Sequence, residues 1–428
     1  MKVLSLFERY LLRFYNSLVK KNQRSVFFIS HVNCINDGYD IINYRSDNVL
    51  CLLNSVLNDN RFYDFHLNIL IYDTNKKLVY DSYIKNSGFR GKYSLINYYN
   101  RKEFLGAFFH SSIVFTDNVL FKYLYKTKKQ KIVCLGYYAA PFKNDYWEVK
   151  RLGYRNSFIE NFLLNKVYDN YITLSDFCSR EISIDSLIYL PKFMPLGYPR
   201  NDIFYEDNLQ LRDKLCTALG FTPKYFITYA PTHRDYENSS REFCDKSLMH
   251  NRTLFGNEDP NNEIDLLNIL EALDAVIIAK VHPAQVQSNL ELESNNRIVF
   301  FSDLKEKCLV SLQEVLTVSD LLITDYSTVF YDFLLLDRPV IHYCYDFDIQ
   351  KNTRGFAFNP IEPFTAGPIV YTFEELCAVL PKTIEEKTID INRIKYVKSI
   401  IHKHQDGLSA ERIKSFYFQD LFPKSNSL

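Results

Sequence analysis

Apolar residues gather in short runs along the chain, and between them lie stretches with helical spacing such as Asn48–Leu57. Alternation of this kind predicts parallel sheets with helices on both faces. Strands are expected at residues 26–30, 67–72, 113–116, 131–135 and 171–174. A second series follows Gly197-Tyr198-Pro199-Arg200, at 225–230, 275–281, 297–301, 321–324 and 340–343. Two α/β domains in tandem are therefore expected, at residues 1–204 and 205–390, with closing helices over 391–428 that pack back on the first. Residues 202–213 read as the linker, and the polar segment 236–263 as a long irregular loop over the cleft between the domains.

The most informative stretch is LLITDYSTVFYDFLLLDRPVIHYCYDFDIQKNTRGFAFNP, residues 321–360. A short apolar strand is followed at once by Asp325, Ser327 and Thr328, and then by a helix from Val329 to Leu336. Short oxygen side chains at a helix start cap it, and the same helix start suits an anion. Alone, the segment reads equally well as a simple cap worth about 1 kcal/mol.

Length and composition narrow the class. A chain of 428 residues with 47% hydrophobic content supports two packed domains. Lys plus Arg number 51 and Asp plus Glu number 51, so no global field draws the protein to nucleic acid. The nine cysteines form no CxxC pair and no Cys/His cluster with metal spacing, which predicts reduced thiols in the cytoplasm and no metal site. No apolar run reaches membrane-spanning length, and no signal-peptide cleavage pattern is present. Residues 1–24, however, form an amphipathic pattern with Leu4, Leu6, Phe7, Leu11, Phe14, Tyr15 and Leu18 apolar and Lys2, Arg9, Arg13, Lys20, Lys21 and Arg24 basic. Two readings follow: a terminal helix packed on the first domain with a solvated basic side, or a helix lying on an anionic membrane surface.

Four segments of the second domain each follow an expected strand, so their polar residues should converge on one rim. Thr232 and Arg234 lie in YAPTHRD, where a hydroxyl and a guanidinium fork suit phosphate. His282 lies in KVHP, and Asp325, Ser327 and Thr328 form the third group. Arg354 opens RGF after the strand at 340. Each has a plain structural alternative: a hydrogen-bonded loop histidine, a local Arg234-Asp235 ion pair, a solvated Arg354. Their joint order is what favours a phosphate site.

That order, YAPTHRD, KVHP, LLITDYSTVFYDFLLLDRPVIHYCYD, RGF and finally HKHQDGLSAERI, resembles the CDP-glycerol glycerophosphotransferase family of teichoic acid primases, polymerases and capsule-synthesis relatives. GYPRND, SDFCSREIS and YRSDN at residues 44–48 extend the resemblance upstream. It implies a GT-B-like arrangement of two Rossmann-like domains facing across a cleft, the nucleotide held by the C-terminal one. The implied reaction moves a polyol phosphate, glycerol phosphate foremost, from a CDP-linked donor to a hydroxyl of a lipid-linked glycan or growing polymer, releasing CMP. The donor is a substrate, and no cofactor or metal is implied. Ser327, Thr328, Thr232 and Arg234 would hold the pyrophosphate, Asp325 and Arg354 would be further substrate-binding residues, and Asp332 or Asp406-Gly407 would meet ribose or cytosine. His282 would be the catalytic histidine of the second domain. A lipid-linked acceptor would place the protein in the cytoplasm, peripheral on the inner face of the membrane through residues 1–24.

The chain departs from the family at one position. Members carry WHGTPLK after a first-domain strand, and here the matching segment is Tyr137-Tyr138-Ala139-Ala140-Pro141-Phe142-Lys143. Tyr138 occupies the histidine position, and a phenol with pKa near about 10 is a weak base unless a cation such as Lys143 assists it. Three accounts follow: His282 is the base and Tyr138 positions the acceptor; His31, His110 or Asp145 substitutes; or the chain binds nucleotide without turning it over. A sugar-nucleotide glycosyltransferase of the same architecture is the alternative enzyme.

Overall fold

The computed structural model describes residues 6–30, 47–117, 126–136, 165–232, 254–256, 263–280, 296–353, 355–386 and 390–422. They divide into two compact units, one holding residues up to 205 together with those from 402 onward, the other holding 206–401.

The first unit is built on seven parallel strands: β1 (Asn22–Ile29), β2 (His66–Ile71), β3 (Lys92–Asn97), β4 (Ser111–Thr116), β5 (Lys131–Cys134), β6 (Asn170–Ile172) and β7 (Phe193–Met194). Their order is β3-β2-β1-β4-β5-β6-β7. The second has six: β8 (Tyr225–Tyr229), β9 (Ala275–Ala279), β10 (Ile298–Phe300), β11 (Leu321–Thr324), β12 (Val340–Tyr343) and β13 (Ile369–Val370), in the order β10-β9-β8-β11-β12-β13. Both orders are of the Rossmann kind, so strand order reverses between β1 and β4 and between β8 and β11.

Full burial explains the strands that were evident from pattern. Every residue of β9 and β11 is buried, as continuous apolar runs in a doubly covered parallel sheet must be. Three strands escaped the pattern. β3 lies at a sheet edge with only Ile96 buried, and β7 and β13 are two residues long.

The chain ends differently from expectation. Residues 391–428 do not act as one closing element: the helix Ile391–Ile401 belongs to the second unit, where Lys398 pairs with Asp337, and the helix Ser409–Phe418 belongs to the first. Phe418 packs edge-on against Phe62 and Phe65 of the first unit. The linker is also shorter than 202–213, because a 3-10 helix reaches Tyr205 and a new helix starts at Leu209. Most of the loop 236–263 lies outside the described residues. Its Leu254 and Phe255 are buried in the second core, where Phe255 stacks on Tyr229 at 4.8 Å.

The helix Leu6–Leu18 rests on the first core through Leu12, Asn16 and Val19. Leu11, Phe14, Tyr15 and Leu18 remain exposed, at 54%, 66%, 59% and 68%. The packed-helix reading is therefore incomplete, because the outward face carries an apolar stripe rather than only basic groups.

Candidate functional site

The four candidate segments of the second unit follow β9, β8, β11 and β12, which are adjacent in that order. All pair in parallel, so their ends share one rim. This is the crevice side of a doubly wound sheet, where ligands bind.

At the centre of the rim β8 and β11 are tied together beyond their ladder. Ala230 donates its amide to Ile323, and the Thr324 hydroxyl donates to the Ala230 carbonyl at 2.8 Å. The Asp325 carboxylate then accepts the Thr232 amide at 2.8 Å, the Thr232 hydroxyl at 2.7 Å and the Ser327 amide at 3.1 Å. Asp325 is buried and Thr232 nearly so. These two residues, expected to touch a ligand, form a strut that fixes two loops.

Ser327 and Thr328 are only half-buried, and neither hydroxyl has a hydrogen-bond partner among the described residues. The helix they open, Val329–Phe333, starts from Thr328 with no side-chain cap and continues as the 3-10 turn Leu334–Leu336. Capping therefore does not explain Ser327 and Thr328, which leaves their hydroxyls open to a ligand.

Two aromatic groups brace this turn. Tyr326 is buried against Phe356 at 4.9 Å, which brings the RGF segment onto it. His342, on β12, donates from Nδ1 to the Asp325 carbonyl at 3.2 Å and packs edge-on against Phe330. Burial lowers its pKa to about 4, so the ring is neutral, and Nε2 faces the Ala366 amide at 3.5 Å. That neutral ring with Nδ1–H directed at the carbonyl satisfies both neighbours. His342 was not singled out in the sequence, where VIHY reads only as a strand.

Asp332 is buried on the helix Val329–Phe333. Lys280 directly follows β9, while Arg234, His282 and Arg354 lie outside the described residues, as do Tyr138 and Lys143.

Asp406 and Gly407 belong to the first unit, not to the second. Arg412 grips Asp406 with two bonds of 2.7 Å, and Leu408 donates to it at 3.1 Å. Burial alone would raise the Asp406 pKa, and the Arg412 bonds outweigh it and hold the carboxyl below its ordinary value. Gly407 takes φ +68°, where a Cβ would lie 2.7 Å from that of Tyr205. Asp202 accepts the amides of Ser409 and Ala410 at 2.9 and 2.8 Å, and so caps the last helix. GYPRND and HKHQDGLSAER are thus partners within one unit.

The strand-end rim of the first unit gathers further motif residues. Asp47 caps the helix Asn48–Leu57 and accepts from Ser30 beyond β1. Asn48 accepts the Arg200 amide at 3.1 Å, and its Nδ2 lies where a Cβ on Gly136 would sit, 2.7 Å away. Gly136 is the last described residue before Tyr138.

The model of the CDP-glycerol:poly(glycerophosphate) glycerophosphotransferase family matches residues 71–419. The chain belongs to this family. A teichoic acid glycerol-phosphate primase of Bacillus subtilis is 26% identical over 314 residues, covering 72% of this chain and 74% of the relative. The teichoic acid ribitol-phosphate polymerase TarK of Staphylococcus aureus is 28% identical over 237 residues, covering 54% of this chain but 40% of that longer protein. A solved structure of the wall teichoic acid polymerase TagF matches with a TM-score of 0.71 at 20% identity, covering 97% of this chain and 93% of that one. The family member's two Rossmann-like sheets therefore make a GT-B-like fold.

Proposed function

We propose that this glycerophosphotransferase-family chain moves glycerol phosphate from CDP-glycerol to a hydroxyl of a teichoic-acid-like polymer, with CMP released. The supporting observation is the rim of the second unit: four motif segments on four adjacent strands, with the Ser327 and Thr328 hydroxyls open above the Asp325–Thr232 strut. The acceptor oxygen forms a bond to the glycerol-bearing phosphorus, the bridging bond to CMP breaks, and the acceptor proton passes to a base. Such chemistry asks the protein for positioning and charge stabilisation. Ser327 and Thr328 hold the pyrophosphate with Arg234 and Arg354, and His282 stabilises the transferred phosphate or takes the proton. Tyr138 orients the acceptor. The CDP-linked donor is a substrate, and no separate cofactor is needed in this scheme.

Asp406-Gly407 is not part of this reading. Its bonds to Arg412 and its close fit to Tyr205 support a role in fastening the last helix.

The acceptor is lipid-linked in this reading, with the protein peripheral on the inner face of the membrane. The outward stripe Leu11-Phe14-Tyr15-Leu18 supports this placement. Among the described residues no helix is long and apolar enough to cross a membrane.

The test incubates the chain with CDP-glycerol, CDP-ribitol and lipid-linked acceptors and follows CMP by chromatography. Acceptor-dependent CMP from CDP-glycerol is expected. Tight CDP binding without CMP release across the panel would favour the second reading, a nucleotide-binding member of a polymer-synthesis complex. Tyr138 in the histidine position is the observation on that side.

A further inference from the structure

All strands of the first sheet run parallel, so their starts share one edge, opposite the rim that carries Ser30 and Gly136. The helix Leu6–Leu18 leads into β1 on that edge, and residues 187–192 lead into β7 on the same edge. Both also lie on one face of the sheet, because Ile182 and Ile188 belong to the core cluster against which Leu12 and Val19 pack.

The segment before β7 repeats the surface chemistry of the first helix. Ile184, Leu187 and Tyr189 are 77%, 53% and 61% exposed. Leu187 takes φ +56°, a left-handed conformation that a leucine rarely adopts, and still presents its side chain to solvent. Fixed contacts fill the space between the two segments. Asn16 donates to Gln130 at 3.3 Å, Lys126 pairs with Asp169 just before β6, and Lys192 donates to the Tyr168 carbonyl.

This edge is also basic. Arg13, Lys20, Lys128 and Lys129 are exposed and have no ion-pair partner among the described residues. Apolar side chains flanked by unpaired cations complement an anionic lipid surface, which offers hydrocarbon below and phosphate above. A protein partner would need shape-matched carboxylates, whereas a bilayer accepts any arrangement of cations along one edge.

We infer that the strand-start edge of the first unit is a two-point docking face for an anionic bilayer, with residues 184–189 as a second contact beside the first helix. The inference rests on the membrane placement proposed above and extends it to a site that residues 1–24 do not contain. A single helix leaves the domain free to swing, and a second contact fixes its orientation. The strand-end rim then stands roughly 25 Å from the bilayer, the length of eight strand residues. An acceptor hydroxyl carried on an extended lipid-linked chain reaches it, and one on a bare headgroup does not.

The experiment is flotation of the full chain with vesicles of phosphatidylcholine alone or with about one-third phosphatidylglycerol. Three forms are compared: wild type, Leu11→Glu/Phe14→Glu, and Ile184→Glu/Tyr189→Glu, with melting temperature as the folding control. Wild type should float with the anionic vesicles, and each double variant should lose about tenfold in affinity while keeping its melting temperature. If Ile184→Glu/Tyr189→Glu floats like wild type, the second contact is refuted and the helix docks alone. If wild type ignores anionic vesicles, the membrane placement itself fails. If the Ile184/Tyr189 variant changes only the sedimentation mass, the face joins two copies and the inference is overturned.

Discussion

The Asp325 carboxylate accepts both the amide and the hydroxyl of Thr232, at 2.8 and 2.7 Å, across the point where strand order reverses in the second sheet. Substitution there should separate framework from ligand contact. Asp325→Ala leaves the Thr232 and Ser327 donors without their acceptor and should cost roughly 3 kcal/mol, since buried charge-assisted bonds are among the strong ones. Ser327→Ala removes a hydroxyl with no partner among the described residues, so stability should change by less than about 0.5 kcal/mol. Its KM for CDP-glycerol should rise about tenfold through loss of one hydrogen bond to phosphate. Urea unfolding and steady-state kinetics on both variants check the contrast. A Ser327→Ala enzyme with unchanged KM would remove that hydroxyl from the donor site.

His342 should make folding stability depend on pH. Its pKa in the folded chain is about 4 because it is buried, against 6.5 ordinarily, so the folded state disfavours the proton. Its contribution is fully present above pH 6.5, where both states are neutral. Below that the unfolded chain binds the proton first, and stability falls as pH drops toward 4, by on the order of 3 kcal/mol in all. His342→Gln should flatten that slope between pH 6.5 and 4.5. If wild type and variant keep parallel profiles, His342 is not the group that titrates.

Much of the second unit could be read from pattern because its central strands are uninterrupted apolar runs. Ala275–Ala279 has no polar residue to confuse its period. The role of Asp325 was hidden for the opposite reason. From sequence it sits four residues before a helix and reads as a cap, and only the adjacency of β8 and β11 reveals its bond to a residue 93 positions away. The return of the last helix to the first unit was expected from the sequence, but not what fastens it there, the fit of Gly407 to Tyr205 and of Asp202 to Ser409. The outward stripe of the first helix was visible as amphipathicity, but Asn16 decides its direction, since this polar residue faces inward.

Three glycines offer a graded test of close packing. At Gly220, φ is +81° and a Cβ would meet nothing within 4 Å, so alanine there should cost about 1 kcal/mol from backbone conformation alone. Gly407→Ala adds a clash 2.7 Å from the Tyr205 backbone-attached carbon, and should cost about 1–3 kcal/mol more. Gly136→Ala displaces the Asn48 amide, which a side chain can absorb, so its stability loss should be the smaller of the two clashes. Its activity loss should be the larger, because Asn48 holds Arg200 at the rim that precedes Tyr138. Melting temperatures and CMP release rates for the three variants give the ranking, and equal activity in Gly136→Ala and Gly220→Ala would detach that rim from the reaction.

The last helix is bound to the first unit by a pair whose loss should be felt in acid. Lys414 pairs with Asp59 at 2.8 Å, with only 6% and 9% of the two side chains exposed, and Arg61 bridges Asp59 and Glu411. Burial alone would raise the Asp59 pKa, but hydrogen bonds from Arg61 and Lys414 outweigh it and hold the carboxyl at about 2. A carboxylate depressed in this way adds stability above its ordinary value of 3.8, and that addition is lost as pH falls toward 2. Lys414→Met leaves the buried carboxylate short of a partner and should cost about 3 kcal/mol at pH 7. It should also move the acid unfolding midpoint upward. Adding Asp59→Asn to that variant removes the charge that Lys414 no longer offsets, so the double variant should regain part of the loss and unfold at a lower pH than Lys414→Met alone. Additive losses in the double variant, measured by urea unfolding at pH 7 and pH 4, would show that the pair contributes only packing.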